Sequence, residues 1–103
     1  MERYEIFIDL PAKDDMRKIG KYITKNLFSH ISSKKLMIEI YQKFQILKIF
    51  PEAYQVSYNY IDKSKEYRRA VVKNYSIIYY VLKEEETVVI VHIYYNKRKF
   101  FNF

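Results

Sequence analysis

The sequence has no cysteine, no tryptophan and a single glycine, Gly20. Without cysteine there is neither a disulfide framework nor a thiolate zinc site. One glycine cannot build a glycine-rich phosphate loop, so nucleotide hydrolysis of that kind is excluded. His30 and His92 have no cluster of carboxylates at metal-ligand spacing, and each is read as a structural histidine. No metal and no cofactor is expected. No apolar run approaches the roughly 18 residues that a membrane span requires. The opening "MERYEIFIDLPAKDD" lacks the basic start before an apolar block that marks a signal peptide. A cytoplasmic protein with no membrane role is expected.

What is present is basic and aromatic. The 19 Lys and Arg exceed the 12 Asp and Glu, for a formal charge of +7 on 103 residues. So large an excess favours a polyanionic partner: nucleic acid, an acidic protein segment or a membrane surface. Scattered lysines also serve solubility alone. Half of the residues are apolar, enough for one globular domain over residues 1–103.

The periodicities divide this domain in two. "RYEIFIDL" alternates, with Tyr4, Ile6 and Ile8 on one side, and predicts a first strand. Met16, Ile19, Tyr22, Ile23 and Leu27 recur at spacings of three and four and predict a helix over 11–28. Asp9 or the residues just after it cap that helix, with Pro11, Asp14 and Asp15 expected in its first turn. Leu36, Ile40, Phe44 and Leu47 mark a second helix, capped by Ser32 or Ser33 and ended by Pro51. Residues 52–66 read as a tyrosine-rich surface loop with a short extended piece around 55–60. Three strands follow over 67–73, 75–82 and 87–95. Their turns fall at Lys73-Asn74, with Asn74 expected at positive φ, and at 83–86, where the glutamates form a solvated cluster rather than a catalytic pair.

The last two strands are apolar on both faces. Ile77, Tyr79 and Val81 alternate with Ile78, Tyr80 and Leu82, and "VVIVHIYY" repeats the pattern. Two helices, each about 27 Å long at 1.5 Å per residue, cover one face of a four-stranded sheet. The other face requires the tyrosine-rich loop, the C-terminal tail or another protein.

The candidate functional groups flank these strands. Arg68, Arg69 and Lys73 lie at the second strand, and Lys97, Arg98 and Lys99 follow the last. Guanidinium groups gathered at one end of a sheet hold phosphates or carboxylates in bidentate fashion. Tyr75, Tyr79, Tyr80, Tyr94 and Tyr95 offer rings for stacking or for an interface. The bland alternative is that the arginines protect a strand edge and the tyrosines fill the core. Alternation puts Arg68 and Arg69 on opposite faces without saying which face is open.

The order strand, helix, helix and three-strand meander, with "EYRRAVVKNYSIIYYV" followed by "TVVIVHIYYNKRKF", resembles the RelE/ParE superfamily of bacterial type II toxin-antitoxin toxins. The resemblance implies an α+β fold whose helical hairpin packs on one face of an antiparallel sheet. It implies a toxin of plasmid stabilisation or growth arrest, neutralised by an antitoxin whose C-terminal segment wraps it. The implied target is either messenger RNA on the ribosome, which the nuclease branch cuts, or DNA gyrase, which the other branch poisons.

Residue by residue, Arg69 matches a basic position of the nuclease branch, and Arg98 its arginine after the last strand. Tyr95 stands in place of a histidine, Asn96 of a glycine that leaves room for a positive φ, His92 of an arginine and Lys99 of an acid. Ser76 stands where that branch carries an arginine after the tyrosine opening the third strand. The implied catalytic set is Arg69, Arg98 and Tyr95, and the implied target-binding set is Arg68, Lys73, Lys97, Lys99 and Tyr80. Losing one preorganised cation from a phosphoryl-transfer site commonly costs about a hundredfold, so Ser76 weighs against efficient RNA cleavage. A nuclease with a rearranged basic site and an inert, decayed toxin stand as the alternatives.

Overall fold

In the computed structural model, which describes residues 3–24, 30–57 and 64–96, the order is β1 (Glu5–Ile8), α1 (Leu10–Thr24), α2 (His30–Ile49), β2 (Arg68–Val72), β3 (Tyr75–Leu82) and β4 (Thr87–Tyr95). The strands form one sheet in the order β1-β4-β3-β2. β2, β3 and β4 are the expected antiparallel meander. β1, however, pairs with β4 in parallel, from Glu5 opposite Thr87 to Ile8 opposite Ile90, so the sheet is mixed rather than antiparallel. The physical reason is the crossover: α1 and α2 carry the chain over one face before it returns, a connection that permits parallel strands.

Asp9 ends β1 and starts α1. Its carbonyl accepts the first helical bond from Lys13 N at 2.9 Å, and its carboxylate accepts from Leu10 N at 2.9 Å. Asp14 and Asp15 lie past the first turn, not in it. Arg17 and Lys18 beside Asp14 hold its carboxyl below the ordinary carboxylate range. Asp15 instead reaches the sheet: its Oδ2 accepts from the backbone N–H of Ile93 at 3.0 Å and lies 3.0 Å from His92 Nδ1. This contact sits beside an irregularity at Ile78/Tyr79, where the register skips Val91 and interrupts the β3–β4 ladder. His92 is thereby tied to α1.

α2 begins at His30, so Ser32 and Ser33 lie inside it and do not cap it. Leu36, Ile40, Phe44 and Leu47 are buried on its inner side, with Ala12 and Ile19 of α1. They meet Ala70, Val72, Ile77, Tyr79, Val88, Ile90 and Ile93 of the sheet in one core, against which Tyr4, Ile6 and Ile8 also pack. Tyr79 is fully buried, and its hydroxyl donates to the Pro51 carbonyl at 2.8 Å, joining the sheet to the end of α2. The β2–β3 turn holds the two residues Lys73 and Asn74, but the positive φ, 52°, is at Lys73.

Candidate functional site

Register and alternation settle the faces. Arg68 lies opposite Tyr79 and points to the helix side, whereas Arg69 lies opposite Ile78 and points to the other side. That second face carries Tyr67, Arg69 and Val71 of β2 and the segment before it, Ser76, Ile78 and Tyr80 of β3, Val89, His92 and Tyr94 of β4, and Phe7 of β1. Its centre is covered, with Ser76, Ile78 and Val89 buried. Its rim is open: Phe7 is 54% exposed, Val71 45% and Tyr94 44%. Part of the expected cover comes from the segment before β2, since the Tyr67 ring stands edge-on to Tyr80 at 5.6 Å. Lys65 Nζ lies 5.3 Å from the same Tyr80 ring.

Arg69 is the centre of a polar ring on this face. Its Nε donates to Ser76 Oγ at 2.6 Å, its Nη2 donates to Asn96 Oδ1 at 3.3 Å, and Ser76 Oγ donates to the same Asn96 oxygen at 2.5 Å. Each donor meets one acceptor, and the ring closes. Asn96 is 6% exposed and is fixed by its own backbone N–H, which donates to the Asn74 carbonyl at 2.7 Å. It does not take the positive φ that its place in the turn suggested. Its side chain is held in the ring instead.

Arg68 is engaged quite differently. Its Nη1 donates to the carbonyls of Tyr54 at 2.7 Å and Glu52 at 3.3 Å, and its Nη2 donates to Glu66 at 2.8 Å. The Glu52 carboxylate lies 3.7 Å away, and the Arg68 side chain is only 14% exposed. The group ties the loop after α2 to the first residue of β2. That loop also pairs with the outer edge of β2: Val56 bridges Arg68, and Gln55 and Ser57 bond the backbones of Arg69 and Tyr67.

The other predicted residues separate. Tyr95 lies opposite Tyr75 with ring centroids 5.4 Å apart, on the helix side of the sheet, so it does not share a face with Arg69. Lys73 reaches Glu39 of α2 at 3.7 Å and is 54% exposed. Tyr80 shares the face of Arg69 but lies four residues along β3 from Ser76, about 13 Å at the strand rise. Lys97, Arg98 and Lys99 follow Asn96 and lie outside the described residues. Among the described residues no group of His, Asp and Glu is placed to hold a metal ion. No described helix is long and apolar enough to cross a membrane.

The model of the ParE toxin of type II toxin-antitoxin systems, parDE, matches residues 6–100. The chain belongs to this ParE toxin family. Solved RelE toxins share the fold of this ParE-family chain. The toxin-antitoxin complex RelBE2 of Mycobacterium tuberculosis is similar at TM-score 0.60 and 18% identity, over 92% of this chain and 93% of that one. The archaeal RelE-RelB complex of Pyrococcus horikoshii is similar at TM-score 0.59 and 16% identity, over 93% and 98%. A mutant E. coli RelE in the free state is similar at TM-score 0.57 and 14% identity, over 92% and 85%. No curated protein matches the chain.

Two of the positions at which this ParE-family chain departs from the nuclease pattern come together here. Ser76 and Asn96 are the hydroxyl and amide that hold Arg69. The signal that could have found them is polarity out of place, a serine in an apolar strand and an asparagine directly after one.

Proposed function

We propose that this type II toxin arrests growth by binding a protein target, a topoisomerase of the gyrase kind, through the open face of its sheet, and that an acidic antitoxin segment neutralises it. One observation carries the reading. The guanidinium of Arg69 is tied to Ser76 and Asn96, while the Tyr95 ring packs at a tilt against Tyr75 on the other face of the sheet. A phosphoryl-transfer site needs its cation and its proton-transferring group convergent on one phosphate. Arg69 and Tyr95 diverge, which supports binding over cleavage. The exposed Phe7, Val71 and Tyr94 around the site suit a protein surface, and the charge of +7 suits an acidic neutralising segment. Residues 97–99, "KRK", directly after Asn96, favour a second reading, a ribosome-dependent nuclease with a rearranged basic site.

Induction of the gene alone in a bacterial host tests both, with message 5′ ends mapped alongside the DNA-damage response. Intact messages with a damage response are expected. New cuts within translated messages, lost in Arg98→Ala, would replace this reading with the nuclease one. Unimpaired growth would leave an inert binding module.

A further inference from the structure

Among the described residues Arg69 is a cation without a counter-charge. No carboxylate among them pairs with it, whereas Arg68 has Glu52 and Glu66, and Lys73 has Glu39. Both of its fixed partners, the Ser76 hydroxyl and the Asn96 amide oxygen, are neutral. A partly buried guanidinium without a counter-charge retains its desolvation cost, and it recovers that cost when an anion arrives. The ring occupies the Nε–Nη2 edge, and among the described residues Nη1 donates to nothing. The free end of the fork is held at a fixed angle by two side chains that are themselves buried, Ser76 at 0% and Asn96 at 6% exposure.

We propose that Ser76 and Asn96 are positioning residues that aim the free end of the Arg69 guanidinium at one carboxylate of a protein partner docked on the open face of the sheet. The proposal rests on the reading that this face engages a protein. Bidentate capture of a carboxylate requires a guanidinium plane fixed in advance, because otherwise each hydrogen bond is offset by the side-chain freedom it removes. The setting selects a protein carboxylate over a nucleic-acid backbone. A strand of phosphates calls for several spaced cations. Here the described groups beside Arg69 on its face are the exposed Val71 and Tyr94, the buried Ile78 and His92, whose ring lies against Asp15, and no second lysine or arginine stands among them. An acidic side chain flanked by apolar residues fits that surround.

The decisive variant is Asn96→Asp. It replaces the amide oxygen by a carboxylate at the same reach, so Arg69 acquires its counter-charge internally. The expected result is a thermal midpoint at or above that of the unaltered protein, with growth inhibition weaker by about tenfold or more. If Asn96 served the fold alone, this variant would be stable and fully toxic, and that outcome would overturn the proposal. Should Asn96→Asp fail to fold, the unaltered full chain supplies the answer through the side-chain Nε–H resonance of Arg69. Titration with a hexaglutamate peptide is expected to move that resonance, and hexauridine to leave it in place. Movement with hexauridine alone, or with neither, refutes the carboxylate site. A wild-type chain that leaves growth unimpaired but binds hexaglutamate at Arg69 would overturn the proposed function and leave the site standing.

Discussion

At the scale of single residues, position in the register decides what a side chain is for. Arg68 and Arg69 are neighbours of identical chemistry. One is used up holding the Tyr54 carbonyl and two glutamates, and the other retains an open donor edge. Tyr79 makes the same point for tyrosine. Burial holds its phenol neutral well above the ordinary value of 10.0. A pKa raised by folding means that the neutral phenol's contribution to stability is fully present below pH 10.0 and is lost as pH climbs from there toward the raised value. Tyr79→Phe leaves the Pro51 carbonyl without its donor and is expected to cost about 1–3 kcal/mol in denaturant unfolding at neutral pH. The same variant should flatten the decline in stability above pH 10.0, which a series of denaturant curves at alkaline pH will read.

At the scale of elements, the turns and the second helix show where local rules were overridden. Lys73 takes the left-handed φ of 52° in a turn that also contains Asn74, the residue better suited to it. Lys73→Gly is expected to raise stability by up to about 1 kcal/mol, reduced by a few tenths for the lost exposed pair with Glu39. A thermal melt of the variant checks this. The strands and the helix faces were legible in the sequence because each periodicity reports directly on burial, as Ile40, Phe44 and Ile77 show. The parallel pairing of β1 was not, because alternation gives the face of a strand and never its neighbour. Nor was the start of α2 legible, since serines suited to a cap are equally tolerated inside a helix that packing stabilises. The Arg69 ring was half legible. Arg69 stood out as a charge, but Ser76 and Asn96 read only as departures from a pattern until the fold brought them together.

At the scale of the molecule, the chain leaves several large apolar side chains in water. α2 carries apolar residues on its outer side too, among the exposed Lys34, Lys35, Gln42 and Gln45. Beyond its buried stripe it exposes Ile38 at 55%, Tyr41 at 51% and Ile46 at 41%, with Phe50 at 53% just past its end. A helix of that kind is ordinarily covered. The purified chain should therefore bind a hydrophobic dye, and Ile38→Lys with Ile46→Lys should lower that fluorescence severalfold while leaving the melting temperature within a few degrees. Dye fluorescence unchanged by the pair of lysines would assign the exposed apolar surface to the rim of the sheet instead.

The parallel ladder between β1 and β4 also has a consequence in time. The first strand can close the sheet only against a strand made about eighty residues later. A chain leaving the ribosome therefore carries β1 and both helices with no edge to receive them, and the sheet closes only after β4 has emerged. The folded sheet, and with it the ring around Arg69, exists only once β4 is free, and that delay is an interval in which most of the chain is made but its candidate site is not yet built.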